Sequence, residues 1–193
     1  MIYETKRDIA PKVTRKYAQT MLTMEEIAKI FDNNHYKFKV NASGVSNMIY
    51  YCIFYRIIPA DVEERIIQKI VENRKRHCKY PARVGNSLYS KYNKTIKDRS
   101  DYEYLIESTV YIKEYLDSKA ELSYSENIDL TDYISSEDER DYKTPKSIST
   151  LLNNIKFYEG ILFSRGIDIG NLELEAARIN KKANYIKSLY DKI

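Results

Sequence analysis

Apolar residues in this chain recur at helical spacing, and no stretch alternates as an amphipathic strand would. From Asp61 to about Arg76, Val62, Ile66, Ile67, Ile70 and Val71 form one stripe behind an acidic cap. Ser100, with Glu103 at capping-box spacing, predicts a helix to about Ala120 carrying Tyr102, Leu105, Ile106, Ile112 and Leu116. Thr144-Pro145 predicts another start, followed by Ile148, Leu151, Leu152, Ile155, Tyr158, Ile161 and Leu162 and stopped by Gly166. A last helix from about Asn171 sets Leu172, Ala176, Ile179, Ala183, Ile186, Tyr190 and Ile193 in alternating steps of four and three, a heptad seam. We expect that seam to fold back on the preceding helix as a hairpin whose outer faces help form a homodimer.

The first sixty residues read as a helix pair with flanking pieces. Thr23 is a candidate N-cap, Glu25 and Glu26 suit the first turn, and Ile27, Ala28 and Phe31 line one face. Asn41 is the candidate N-cap of a second helix, with Val40, Val45 and Met48 turned toward the first. Ser43, Ser46, Asn47, Tyr50 and Tyr51 are then expected to point outward. Before this pair, Pro11 predicts a short helix through Tyr17, either a basic arm or a bracing helix. After it, Cys52 to Ile58 is the end of the second helix or a short buried strand, broken at Pro59. Residues 80–100 carry turn signals at Pro81 and Gly85-Asn86 and predict an irregular segment. Its Arg83, Lys91, Lys94, Lys97 and Arg99, mixed with Tyr80, Tyr89 and Tyr92, suit a clamp on a nucleic-acid backbone or a solvated linker. Glu121 to Asp141 is acidic and poor in apolar residues, and reads as an exposed linker.

The run Val40-Asn41-Ala42-Ser43-Gly44-Val45-Ser46-Asn47-Met48-Ile49 resembles the V-S-x-S-T-V-S-R-x-L opening of many recognition helices. With Thr23 to Phe31 as the supporting helix, the resemblance is to the broad helix-turn-helix class of DNA-binding proteins. It covers under a fifth of the chain, and the connection Asp32 to Lys39 is longer than the usual three or four residues. The resemblance implies base or adjoining contacts by Asn41, Ser43, Ser46, Asn47 and Tyr50, with the Asn47 amide suited to adenine. It implies phosphate contacts by Lys37, Lys39, Arg56, Arg74, Lys75 and Arg76.

Charge agrees with that division. Residues 1–100 hold 20 Lys/Arg against 10 Asp/Glu, and residues 101–193 hold 12 against 18, which together return the whole-chain 32 and 28. We therefore expect an all-α protein with a basic helix-turn-helix domain over 1–99. An acidic C-terminal helical bundle or hairpin domain over 100–193 would serve oligomerisation or a protein partner.

The 193 residues include two cysteines, Cys52 and Cys78, which make no disulfide framework and fit a reducing, cytoplasmic setting. No apolar run would span a bilayer. His35 and His77 are the only histidines; beside Cys78, His77 gives no zinc spacing, and no glycine cluster matches a phosphate loop. The expectation is a non-enzyme without metal or cofactor. It would bind double-stranded DNA as a dimer in transcription regulation or plasmid or phage DNA maintenance. Two alternatives stay open: a helical protein-interaction adaptor, and a phage-encoded inhibitor of a host protein whose acidic half mimics nucleic acid. Abundant Lys, Asn, Ile and Tyr suit an AT-rich, low-GC bacterial, phage or plasmid origin.

Overall fold

A computed structural model describes residues 4–32, 36, 38–76, 85–127 and 147–192, with the side chains of 73–76, 85–87 and 126–127 excepted. The described residues are helical: α1 (Lys6–Gln19), α2 (Met24–Phe31), α3 (Ala42–Phe54), α4 (Ala60–Arg76), α5 (Gly85–Asn127), α6 (Ile148–Ser164), a 3-10 turn (Ile169–Asn171) and α7 (Leu172–Tyr190). They divide into two compact units. The first is 1–102 with 184–193, and the second is 103–183. The last ten residues thus belong to the first unit.

Local chemistry sets the helix starts. Thr5 and Asp8 form a capping box, as do Thr23 and Glu26, so α1 opens at Lys6 and α2 at Met24. The expected start at Pro11 is corrected: Pro11 lies inside α1, whose buried Ile9, Ala10, Val13 and Tyr17 hold the helix through it. Asn41 caps α3, its Oδ1 accepting from the Gly44 N–H at 2.7 Å. The run after Cys52 continues the helix to Phe54.

The core of the first unit joins Ile9, Val13 and Tyr17 of α1, Ile27 and Ala28 of α2, Val45, Met48, Ile49 and Ile53 of α3, and Val62, Ile66 and Ile70 of α4. Ile9, Val13 and Tyr17 of α1 and Val62, Ile66 and Ile70 of α4 recur every four residues, so each of these helices buries one stripe, while α2 and α3 also bury adjacent pairs, Ile27-Ala28 and Met48-Ile49. Full burial of such a Val or Ile side chain contributes about 1.5–3 kcal/mol. Lys69 ties α4 to the end of α1. Its Nζ donates to the carbonyls of Tyr17, Thr20 and Leu22 at 2.8, 2.8 and 2.7 Å and stands 3.8 Å from the Tyr17 ring centroid.

Two expectations about α5 are corrected. Residues 85–100 are helical, and Ser100 lies inside that helix without capping anything. Leu88, Tyr89, Tyr92 and Ile96 pack against the first core. Arg99 turns inward, its Nη1 donating to the Ile53 carbonyl at 3.0 Å and pairing with Glu63 Oε2 at 3.3 Å, with the two side chains 14% and 17% exposed. Tyr92 donates to the same Glu63 at 3.4 Å. Burial of these groups outweighs the turn propensity of Gly85-Asn86.

In the second unit, Leu105, Ser108, Ile112, Tyr115 and Ser118 form the buried stripe of α5. Leu151, Ile155 and Leu162 do the same on α6, which Ser147 caps. Tyr115 donates to Glu159 at 3.0 Å. Arg165 donates to the Tyr104 carbonyl at 3.1 Å and Ser108 Oγ at 2.8 Å, pairs with Glu107, and lies over the Tyr104 and Tyr111 rings. Of the heptad seam, Leu172, Ile179, Ala183 and Ile186 are buried, Ala176 and Tyr190 are half-buried, and Ile193 lies outside the described residues. Thr144-Pro145 and the acidic stretch beyond Asn127 also lie outside them.

Two helices end in the same six-residue lock. At α6, Gly166 at φ 66° donates to Phe163 O and Ile167 donates to Leu162 O. At α3, Arg56 at φ 52° donates to Ile53 O and Ile57 to Cys52 O. The left-handed position suits glycine and costs an L-residue about 1–2 kcal/mol. Gly166→Ala should therefore lower stability by about 0.5–1 kcal/mol in urea unfolding, after the smaller chain entropy of alanine is set against the strain at that φ, since nothing stands within 4 Å of an added Cβ. Lys69→Ala, which strands three carbonyls, should lower it by about 1–3 kcal/mol. Exposed Lys97→Ala should stay within about 0.5 kcal/mol.

Candidate nucleic-acid interface

The sequence places a polar segment, Asn41 to Asn47, ahead of an apolar one, Met48 to Phe54, within a single helix. Burial follows that change. Val45, Met48, Ile49, Tyr50, Cys52, Ile53 and Phe54 are buried, Asn41 and Ser43 are exposed, and Ser46 and Asn47 are half-buried. The opening turns of α3 thus carry most of the polar groups it leaves accessible.

Tyr50 is a correction to the outward face. It is 2% exposed, and its hydroxyl donates to the Leu88 carbonyl of α5 at 3.0 Å. Tyr51 is half-buried, with its ring 4.9 Å from that of Tyr55 and Arg7 above it at 6.0 Å. The cause is α5, which covers the flank of α3 that an irregular 85–100 would have left open. Leu88, Tyr92, Thr95, Ile96 and Arg99 carried a helical spacing that revealed this cover, but the flanking turn residues and lysines disguised it.

The same cover brings in Lys91. Its Nζ donates to Ser46 Oγ at 3.1 Å and to Asn47 Oδ1 at 3.4 Å, and it lies 4.5 Å from the Tyr50 ring centroid. Desolvation against α3 lowers its pKa. No carboxylate pairs with it among the described residues. Lys94 and Lys97 follow along the exposed side of α5.

The cations expected on phosphate divide three ways. Lys39 is exposed just before α3. Arg56 forms the left-handed end of α3. Arg74, Lys75 and Arg76 close α4 with side chains outside the described set, and Lys37 lies outside it altogether. The long connection is partly organised: Asp32 Oδ1 accepts from the Val40 N–H at 3.3 Å, and Tyr36 stacks on Phe38 at 5.4 Å. The basic N-terminal residues belong to a bracing helix and not to a free arm.

Other chemistry is sparse. Cys52 is fully buried, and burial pushes its thiol up to about 11. Among the described residues no three His, Cys, Asp or Glu side chains gather as a metal site, and no helix is long and apolar enough to cross a membrane. His77 and Cys78 lie outside the described residues. No protein-family model, curated protein or solved structure matches the chain.

Burial also pushes up the phenol pKa values of Tyr17, Tyr50, Tyr55 and Tyr190. At Tyr55 the Asp191 hydrogen bond adds to the effect. A raised phenol pKa means that the unfolded chain loses these protons first as pH rises. Stability is therefore full below the ordinary tyrosine value of about 10 and declines above it. Urea midpoints measured from pH 8 upward should fall once that value is passed, and Tyr50→Phe should show a shallower fall.

Proposed function

We propose that this chain is a double-stranded DNA-binding protein that presents the opening turns of α3 to the major groove and acts as a homodimer through its second unit. The observation carrying this reading is the polar, carboxylate-free opening of α3 beside the lysines of α5. Asn41, Ser43, Ser46 and Asn47 supply amide and hydroxyl groups within the first two turns, the part of a recognition helix that touches base edges. The first turn of α3 has no acid, whereas those of α1, α2 and α4 do. Lys39, exposed just before α3, and Lys94 and Lys97, exposed on α5, would contact phosphate. Tyr50 drops out of the contact set because it is buried.

Charge by unit supports the same division of labour. Residues 1–102 with 184–193 hold 22 Lys/Arg against 12 Asp/Glu, and residues 103–183 hold the remaining 10 against 16. A basic unit meets a polyanion, and an acidic one does not. Exposed Phe157, Phe163 at 82% and Leu174 in the second unit supply apolar area for the dimer. Regulation of transcription and plasmid or phage DNA maintenance both suit such a protein.

Electrophoretic shift of the full chain with random and genomic duplexes, across a salt series, tests the reading. Binding should fall with salt, and Lys39→Ala, Lys94→Ala and Lys97→Ala together should reduce the log–log salt slope by about 3, equally for every sequence. Asn47→Ala should instead relax base preference. In-vitro selection should recover a palindrome, matching a dimer in light scattering. Absence of any shift at about 50 mM salt, where phosphate contacts are strongest, would leave the interaction adaptor as the better description.

A further inference from the structure

We infer that Ser46, Asn47 and Lys91 form a single cationic, donor-rich surface that selects guanine over adenine; this rests on the duplex-binding reading above. The argument begins with what an ammonium can do. Lysine Nζ carries three N–H donors and accepts nothing, so both atoms it faces on α3 must be oxygens. This fixes the Asn47 amide: its Oδ1 is taken by Lys91 at 3.4 Å, and its Nδ2 remains the free end. Ser46 accepts from the same ammonium at 3.1 Å and keeps its own proton to give. Lys91 retains a third N–H. The three side chains therefore offer hydrogens outward, while each oxygen has one lone pair engaged and a positive charge beside it.

Adenine is recognised by one amide that both accepts from N6 and donates to N7. Asn47 has one of its oxygen's two lone pairs engaged by Lys91, and the ammonium beside that oxygen opposes an incoming amino group of adenine. Cytosine presents an amino donor in the major groove and meets donors, while thymine gives one oxygen beside a methyl group. Guanine alone offers two adjacent acceptors, O6 and N7, which match a donor pair such as Nδ2 of Asn47 and Nζ of Lys91. The amide chemistry that would suit adenine on a bare helix is thus redirected by a residue from α5.

The lysine is held in place. Its ammonium lies 4.5 Å from the Tyr50 centroid, a cation–π distance, and Tyr50 is itself fixed by donating to Leu88 on the same turn of α5 as Lys91. Lys91 is a specificity-determining residue, and its removal takes the ammonium away from the Asn47 oxygen and opens that oxygen to an adenine amino group.

Selection from a random duplex library, followed by competition binding, tests this. The wild-type site should contain a guanine at which replacement by 7-deazaguanine, which removes the N7 acceptor, weakens binding about tenfold or more. Lys91→Ala should shift that position toward adenine or leave it degenerate. Lys91→Arg, still donor-only, should keep guanine. The 7-deazaguanine measurement uses the unaltered protein, so it stands if a variant misfolds. An adenine preference in the wild type, indifference to N7, or the same preference in Lys91→Ala overturns the inference while leaving duplex binding intact. Failure to bind any duplex overturns both.

Discussion

The second half of α3 must be covered on nearly every side, and the first unit is arranged to do that. Seven of its residues from Val45 to Phe54 are buried, including two large aromatics. One partner helix covers only a stripe, so α1 and α2 take two sides, and α5 supplies Leu88, Tyr92 and Ile96 to the same core. Two large polar side chains brought inside find partners: Tyr50 donates to the Leu88 carbonyl, and Arg99 meets both Glu63 and the Ile53 carbonyl at the end of α3. An unpaired buried donor would cost about 1–3 kcal/mol. Cover and hydrogen bonding therefore specify one position for α5.

Closing the C-terminal end of α3 takes the end of the chain as well. Phe54 stacks on Tyr190 at 4.2 Å with planes 5° apart. Tyr190 donates to Asp98 and Tyr55 to Asp191, each at 2.7 Å, and Asp191 also meets Arg7 at 3.5 Å. Aromatic pairs of this kind contribute about 0.5–1.5 kcal/mol beyond the area they bury. The first unit is thus discontinuous in sequence, and a cut at residue 99 would remove Tyr102, Tyr190 and Asp191 from it.

The legible features in the sequence were those written locally. Thr23 with Glu26, Asn41 and Gly166 announce their helix ends because a cap is a relation among residues a few positions apart. The stripe of α4 and most of the α7 seam were legible through period alone. The start of α5 was not, because Gly85-Asn86 is a strong local turn signal that only tertiary burial overrides. Arg56 escaped for the converse reason: no glycine marks its left-handed turn, and only the fold imposes it. Of the candidate site, Asn41, Ser43, Ser46 and Asn47 could be chosen from residue type and spacing. Whether Tyr50 joined them depended on α5, which lies 38 residues away at the Leu88 contact.

That dependence also decides which polar groups the opening of α3 presents. A helix read in isolation presents each side chain with its full donor and acceptor inventory. Packed against α5, Asn47 gives its oxygen to Lys91 and Ser46 gives a lone pair to the same ammonium. Asn41 has likewise committed its oxygen to the Gly44 N–H in capping the helix, and a side chain at position 44 would crowd that oxygen at 3.3 Å. Both asparagines at the exposed end of α3 therefore have one lone pair of the oxygen engaged and keep their NH2 groups to donate. The helix end, its amides and the neighbouring lysines all favour acceptor-rich, negatively charged surfaces, and duplex DNA supplies both acceptors and charge.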